Sequence, residues 1–129
     1  MNDRELIRMA QDASLRAYAP YSGFTVGAAL ECGDGTVITA GNVENAAYGE
    51  CICAERAAVV KAVSEGKTDF RRIAVYGPSR TCCMPCGACR QVLSEFAPDI
   101  EVLSAKVGGN YVSYPLSRLL PNQFRGSTE

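Results

Sequence analysis

The sequence contains no histidine among its 129 residues. Histidine is the commonest metal ligand in proteins and the usual general acid or base near neutral pH. Its absence means that any metal site in this chain must use thiolates or carboxylates. The same absence leaves acid–base catalysis to a carboxylate, because no imidazole is available to carry a proton.

An excess of positive charge and a long apolar run are also missing. The chain carries 13 lysines and arginines against 14 acidic residues, which gives a net charge of -1. With no basic run, the electrostatic basis for binding nucleic acid is absent, and we expect no nucleic-acid partner. No apolar stretch approaches the roughly 20 residues needed to span a bilayer, so we expect no membrane partner.

Cysteine, in contrast, is abundant. There are seven cysteines, an odd number, and two pairs are crowded along the chain: Cys51 with Cys53, and Cys82 with Cys83. This arrangement fits a secreted disulfide framework poorly and favours a reducing, cytoplasmic compartment. The length fits a single domain over residues 1–129, and the apolar content of 47% is enough to build a core.

Two short motifs carry the chemistry. The first is Cys53-Ala54-Glu55-Arg56, and the second is Pro85-Cys86-Gly87-Ala88-Cys89-Arg90. The C-x-x-C spacing of the second motif allows both sulfurs to reach one metal ion. Three thiolates would leave a fourth position on zinc for water, as in catalytic sites, and a neighbouring carboxylate could move the protons of that water. The hypothesis is a hydrolytic zinc site with Cys53, Cys86 and Cys89 as ligands and Glu55 as proton carrier.

The residues alone leave a second ligand set open. Cys83 and Cys86 form another C-x-x-C pair, and Cys51 lies near Cys53. A closed structural site of four thiolates could be built from these cysteines. Such a site would have no use for Glu55, and it would make the protein a zinc-stabilised interaction module without catalysis.

Three thiolates around zinc carry a formal charge of about −1, which opposes the acidification of bound water. Something must draw charge from the sulfurs. Predicted helix starts after Cys53 and Cys86 would contribute through their N–H groups. Arg56 is the third candidate, as a hydrogen-bond donor to the ligand thiolates.

Hydrophobic periodicity and turn residues predict an α/β protein with three α-β-α layers and a mixed five-stranded sheet that begins and ends with an antiparallel hairpin. The first helix is predicted to have Asp3 as its N-cap and to stop at Pro20. The small residues of the first strand predict close approach by a helix or another subunit. Residues 71–104 are predicted to form a parallel β-α-β unit. The predicted elements are a helix over 3–17, a hairpin over 24–40, a helix over 54–63, a strand over 71–77, a helix over 87–96, strands over 100–104 and 111–114, and a short helix over 115–120.

Together, the two motifs resemble those of the cytidine/deoxycytidylate deaminase family, in particular its homotetrameric branch with three cysteine ligands to zinc. The resemblance extends from Tyr18 to Phe124. It implies the three-layer fold of that family, one zinc ion per chain, and Arg56 as the group that offsets the thiolate charge. It also implies homotetramers whose sites are completed by neighbouring subunits.

The resemblance also assigns substrate contacts. The loop over 41–49 matches the segment in which an Asn-x-Glu binds the ribose 3′-hydroxyl, here Asn42 and Glu44. The Ala54 N–H is expected to meet the base O2. Three aromatic residues are matched to the pocket: Phe24 near the ribose and base, Tyr48 near the ribose 5′-hydroxyl at a subunit boundary, and Phe124 stacking on the pyrimidine of a neighbour's site.

The implied function is zinc-dependent hydrolytic deamination of cytidine and 2′-deoxycytidine to the uridines with release of ammonia, a step of pyrimidine salvage. A deaminase of another aminopyrimidine nucleoside, such as an antibiotic, would share the zinc motifs. A deaminase of tRNA or polynucleotides would also share them, but it would carry histidine as first ligand and a basic surface.

Overall fold

The computed structural model describes residues 1–126 and contains one five-stranded sheet between two layers of helices. The helices and strands, in chain order, are α1 (Asp3–Ser14), β1 (Gly27–Cys32), β2 (Val37–Gly41), α2 (Ala54–Ser64), β3 (Phe70–Tyr76), α3 (Gly87–Phe96), β4 (Glu101–Ala105), β5 (Tyr111–Pro115) and α4 (Leu116–Leu119).

The strand order is β2-β1-β3-β4-β5, and the predicted mixture of pairings is confirmed. β1 pairs antiparallel with β2 and with β3, β3 pairs parallel with β4, and β4 pairs antiparallel with β5. The parallel pair needs a crossover, and α3 supplies it. The hairpins at the start and at the end follow from the short turns between their strands.

Each face of the sheet is covered by helices. Leu6, Ile7 and Ala10 of α1 pack with Ala29 and Ala74 on one face. On the other face, α2 and α3 bury a larger cluster that includes Val59, Leu93 and Val102. The alternation of side chains along a strand explains this division, since neighbouring residues such as Ala28 and Ala29 point to opposite layers.

The small residues of β1 allow α1 to pack closely against the sheet. The sequence predicted such close approach by a helix or by another subunit. A methyl group on Gly27 would lie 1.9 Å from the carbonyl oxygen of Ala10. Such a distance is impossible, so this position needs glycine for the close approach of helix and strand.

The first helix is shorter than predicted. It ends at Ser14 instead of residue 17, and its N-cap is Asn2, whose side chain accepts from the Glu5 N–H, rather than Asp3. The early end has a tertiary cause, because the Tyr18 backbone pairs with the loop after β2: its N–H donates to the Asn42 carbonyl at 2.9 Å, and its carbonyl accepts from the Glu44 N–H at 2.8 Å.

The first strand also begins later than predicted, at Gly27 instead of residue 24. The Asn42 side chain takes the place of a neighbouring strand over residues 24–26. Its Oδ1 accepts from the Val26 N–H at 2.8 Å, and its Nδ2 donates to the Phe24 carbonyl at 3.0 Å.

No helix within residues 1–126 combines the length and apolar composition that crossing a bilayer would require.

Candidate metal centre and active site

The two cysteine motifs meet where α2 and α3 begin. Cys53 is the N-cap of α2 and Cys86 is the N-cap of α3, so both thiols lie at helix N-termini, as the sequence predicted. Cys89 follows in the first turn of α3 and is fully buried. N–H groups at a helix start have no acceptor within the helix and favour a negative charge, which here falls on the thiolates.

The three sulfurs have the spacing of a tetrahedral zinc site. Cys53 Sγ lies 3.7 Å from Cys86 Sγ, and Cys86 Sγ lies 3.4 Å from Cys89 Sγ. Sulfurs bound at about 2.3 Å to one tetrahedral zinc ion are about 3.8 Å apart. The ligand atoms of Cys53, Cys86 and Cys89 all lie within 4.8 Å of one another, and in residues 1–126 they form the only such group of three. The donor set therefore fits zinc.

The competing cysteines have other surroundings. Cys51 Sγ accepts from the Asn45 N–H at 3.3 Å and lies 3.7 Å from the Asn45 carbonyl, so it belongs to the loop before α2. Cys83 packs against the core beneath α2 and α3, and burial raises the pKa of its thiol to about 11. Both stay outside the group of three within the described part of the chain.

Glu55 lies in the first turn of α2 and is 4% exposed. Burial raises the pKa of its carboxyl to about 7, and the charge of the neighbouring Cys53 thiolate adds to the effect. Near neutral pH, such a group can both accept and release a proton, which is what a proton carrier requires. The residue predicted for that task is therefore placed beside the sulfurs in a suitable environment.

The thiols themselves are polarised. The pKa of Cys53 is lowered to about 5, chiefly by a hydrogen bond from Cys89, with further contributions from Cys86 and from Arg56. The same hydrogen bond, together with burial, raises the pKa of Cys89. The Cys53 thiolate thus forms readily and is held by its neighbours.

Arg56 lies beside the sulfurs, and its role as a donor to the ligand thiolates remains a prediction. Its guanidinium interacts electrostatically with the Cys53 and Cys89 sulfurs. Its Nη2 also donates a hydrogen bond to the Cys51 carbonyl at 3.3 Å. Its buried Nε has no hydrogen-bond partner within residues 1–126. A buried donor without an acceptor is costly, and a ligand thiolate is the kind of acceptor that would satisfy it.

Arg90 supports the second motif, a role that the sequence did not indicate. Its Nε donates to the Pro85 carbonyl at 2.8 Å, and its Nη1 donates to the Leu119 carbonyl at 2.7 Å. The guanidinium therefore fixes the segment that carries Cys86 to the end of α4. Only a long-range contact reveals this, because Leu119 is 29 residues away in the sequence.

The loop with Asn42 and Glu44 is joined to the segment before Cys53. The N–H of Val43 donates to the Ile52 carbonyl at 3.0 Å, and the N–H of Ile52 donates back at 2.9 Å. The Asn42 amide is engaged with Phe24 and Val26, but one N–H and one lone pair remain for another partner. The loop that carries the predicted ribose residues is thus paired with the segment that leads into Cys53.

Glu44 is fixed as a carboxylate. Its Oε1 accepts from the N–H groups of Tyr21 at 3.0 Å and Ser22 at 3.1 Å, and its Oε2 accepts from the Ser22 hydroxyl. The Ser22 hydroxyl, then its N–H and that of Tyr21, lower the pKa of Glu44. Glu44 and Tyr48 line one depression of about 280 Å³, together with Tyr21, Ser22, Asn45, Ala46 and Cys51.

The predicted aromatic contacts are surface residues. Tyr48 is 89% exposed, Phe124 is 73% exposed and Phe24 is 42% exposed. Rings this open are available for contact with a substrate or with a second subunit. Ala54 lies next to Cys53 as the first residue of α2 and is buried. Its role and those of the three aromatic residues remain predictions.

Comparison with known proteins agrees with this site. Residues 1–104 match the family model described as the cytidine and deoxycytidylate deaminase zinc-binding region. A cytidine deaminase of Halalkalibacterium halodurans is 46% identical over 125 residues, which cover 96% of this chain and 95% of that protein. A blasticidin-S deaminase of Bacillus cereus is 33% identical over 130 residues, covering 95% of this chain and 91% of that protein.

The fold is shared with solved structures of the same group. The crystal structure of cytidine deaminase from Burkholderia pseudomallei superimposes with a TM-score of 0.93 at 45% sequence identity, over 96% of this chain and all of that one. The three-layer architecture, the three clustered thiols and these relatives lead to one conclusion: the chain belongs to the cytidine and deoxycytidylate deaminase family.

Proposed function

We propose that the protein deaminates cytidine and 2′-deoxycytidine hydrolytically, giving uridine, 2′-deoxyuridine and ammonia in pyrimidine salvage. The observation that carries the proposal is the group of three thiols with zinc spacing beside the buried carboxyl of Glu55. The names of the most similar relatives support the choice of substrate.

Each residue of the site has a task in this reaction. Zinc held by Cys53, Cys86 and Cys89 would act as a Lewis acid that lowers the pKa of a water molecule. Glu55 would take one proton from the attacking water and pass it to N3 of the base as the water oxygen bonds to C4. It would then take the second proton from that oxygen and give it to the amino group, which leaves as ammonia when the C4–N bond breaks and the C4=O bond forms. The N–H of Ala54 meets the base O2, and the charge of Arg56 offsets that of the sulfurs.

The ribose is assigned to Asn42 and Glu44. An ionised carboxylate accepts hydrogen bonds from hydroxyls, and the amide can donate and accept. The support is the fixed position of both side chains: Asn42 is bonded to the backbone at Phe24 and Val26, and Glu44 to Tyr21 and Ser22. Groups held in this way lose little freedom when a substrate binds.

Glu44→Gln tests the ribose assignment. A hydrogen bond from a ribose hydroxyl to a charged carboxylate is stronger than one to a neutral amide, so we expect the KM for cytidine to rise by about 10- to 100-fold with little change in kcat. Any residual deamination of cytosine, which lacks the sugar, should be unchanged. Glu50→Gln is the matched control, since Glu50 is an exposed carboxylate on the same connection. An equal loss of activity on both substrates would remove Glu44 from ribose binding.

A nucleoside antibiotic is the second candidate substrate, because a blasticidin-S deaminase is among the relatives. Steady-state kinetics with cytidine, 2′-deoxycytidine and blasticidin S distinguish the two. We expect the highest kcat/KM with cytidine or deoxycytidine. A preference for blasticidin S would replace the nucleoside assignment and would keep the zinc chemistry.

We further propose a cytoplasmic homotetramer in which Phe124 of one subunit stacks on the pyrimidine in a neighbour's site. Seven free cysteines support a reducing compartment, and the exposed rings of Phe124 and Tyr48 support coverage by another subunit.

Light scattering should give the mass of four chains. Mixing Phe124→Ala subunits with Glu55→Gln subunits should restore low-KM turnover, because some mixed sites combine both intact residues. A fully active monomer, or mixtures that perform as the sum of the two variants, would contradict a contribution across the interface.

A further inference from the structure

The end of β3 has no space for a side chain. Gly77, which follows Tyr76, is buried. A methyl group on Gly77 would lie 2.9 Å from Cys83 Sγ, 3.1 Å from Cys83 Cβ and 3.3 Å from Cζ of the Phe24 ring. Phe24 and Cys83 therefore fill the volume that any other residue at position 77 would need.

These two neighbours belong to opposite sides of the proposed substrate site. Phe24 lies on the ribose side, where its carbonyl accepts from Asn42 and its N–H donates to the Ser22 hydroxyl at 3.0 Å. Cys83 lies on the metal side, where it packs against the core cluster that includes Ala54 of α2 and Leu93 of α3. Gly77 lies between the two sides and contacts both.

The neighbours differ in how far they can yield. The Cys83 backbone is anchored, because its N–H donates to the Ala105 carbonyl at 3.1 Å. The Phe24 backbone is fixed on both sides by Asn42 and Ser22, but its ring is 42% exposed and can rotate outward. An added methyl group at residue 77 would press most on the Cys83 sulfur, and it would also shift the Phe24 ring by a few tenths of an ångström toward the side assigned to the nucleoside.

We propose that Gly77 is a positioning residue for substrate binding. Because it has no side chain, the Phe24 ring packs directly against the end of β3 and is held at the wall between the metal centre and the loop over 41–49. This inference rests on the proposed function, in which Phe24 contacts the nucleoside. Gly77 acts through Phe24 and does not itself touch the substrate.

A double-mutant cycle on Gly77→Ala and Phe24→Ala tests the inference. An aromatic contact accounts for about a two- to tenfold change in binding, so Gly77→Ala should raise the KM for cytidine by about that factor, with kcat and bound zinc kept. In the Phe24→Ala background, the same substitution should leave KM unchanged. A purely structural effect would raise KM by the same factor in both backgrounds, and that result would overturn the inference.

The variant Gly77→Ala/Cys83→Ala covers the case in which Gly77→Ala alone folds poorly. Loss of the sulfur relieves the shortest contact, so the double variant should recover thermal stability, while the contact with the Phe24 ring and the raised KM should remain. A double variant that is stable but whose raised KM is independent of Phe24 would overturn the inference. If the wild-type protein failed to turn over cytidine, the proposed function would be overturned as well. If the wild type were active and Gly77→Ala raised KM by the same factor with and without Phe24, only the role of Gly77 would be removed.

Discussion

Glu55→Gln is expected to lower kcat for cytidine by about 10²- to 10⁴-fold, the usual contribution of a positioned general acid or base. Glutamine has nearly the same shape as glutamate, so the buried position stays filled. Its amide neither accepts a proton from water nor passes one to the base. Zinc content should remain at that of wild type, because the metal ligands are the three sulfurs.

Glu65→Gln serves as the control for this experiment. Glu65 lies at the far end of the same helix, as the C-cap of α2, and is exposed. Its substitution should change neither zinc content nor kcat. If Glu55→Gln kept wild-type turnover with zinc bound, Glu55 would not be the proton carrier, and another group would have to carry the proton.

Cys89→Ala is expected to abolish both zinc binding and deamination. Cys89 is fully buried, and its sulfur completes the group of three with Cys53 and Cys86. Two thiolates cannot form the three-ligand site, so the metal would lose one of its three protein ligands. Metal analysis after dialysis against metal-free buffer should find zinc in the wild type and none in Cys89→Ala.

Cys83→Ala is the matched comparison, because Cys83 and Cys86 form the competing C-x-x-C pair. This variant should keep its zinc, since the Cys83 sulfur is outside the group of three. If Cys83→Ala lost its zinc and Cys89→Ala kept it, Cys83 would replace Cys89 as the ligand. Zinc loss from both variants would indicate a closed site of four thiolates.

Motif spacing predicted the metal centre because the relevant geometry is local. Cys86 and Cys89 are three residues apart at the start of one helix, and their sulfurs lie 3.4 Å apart. The position of Cys53 depended on topology: α2 and α3 begin at the same end of the layer, which brings residues 33 apart in sequence to 3.7 Å. The predicted parallel β-α-β unit over 71–104 is consistent with that arrangement.

Contacts between distant side chains could not be predicted in the same way. The sequence indicates that Asn42 follows a strand, but not that its amide replaces strand pairing at Phe24 and Val26. Nor does it indicate that Arg90 reaches the Leu119 carbonyl or that Gly77 meets Phe24. These contacts depend on how the elements pack in three dimensions, and residue spacing carries no record of that packing.

The most direct test of the whole account is to measure ammonia and uridine released from cytidine by the zinc-loaded protein, with zinc per chain determined in the same sample. The account predicts equal amounts of the two products and a rate proportional to bound zinc, up to about one ion per chain. One zinc per chain with no release of ammonia would contradict it.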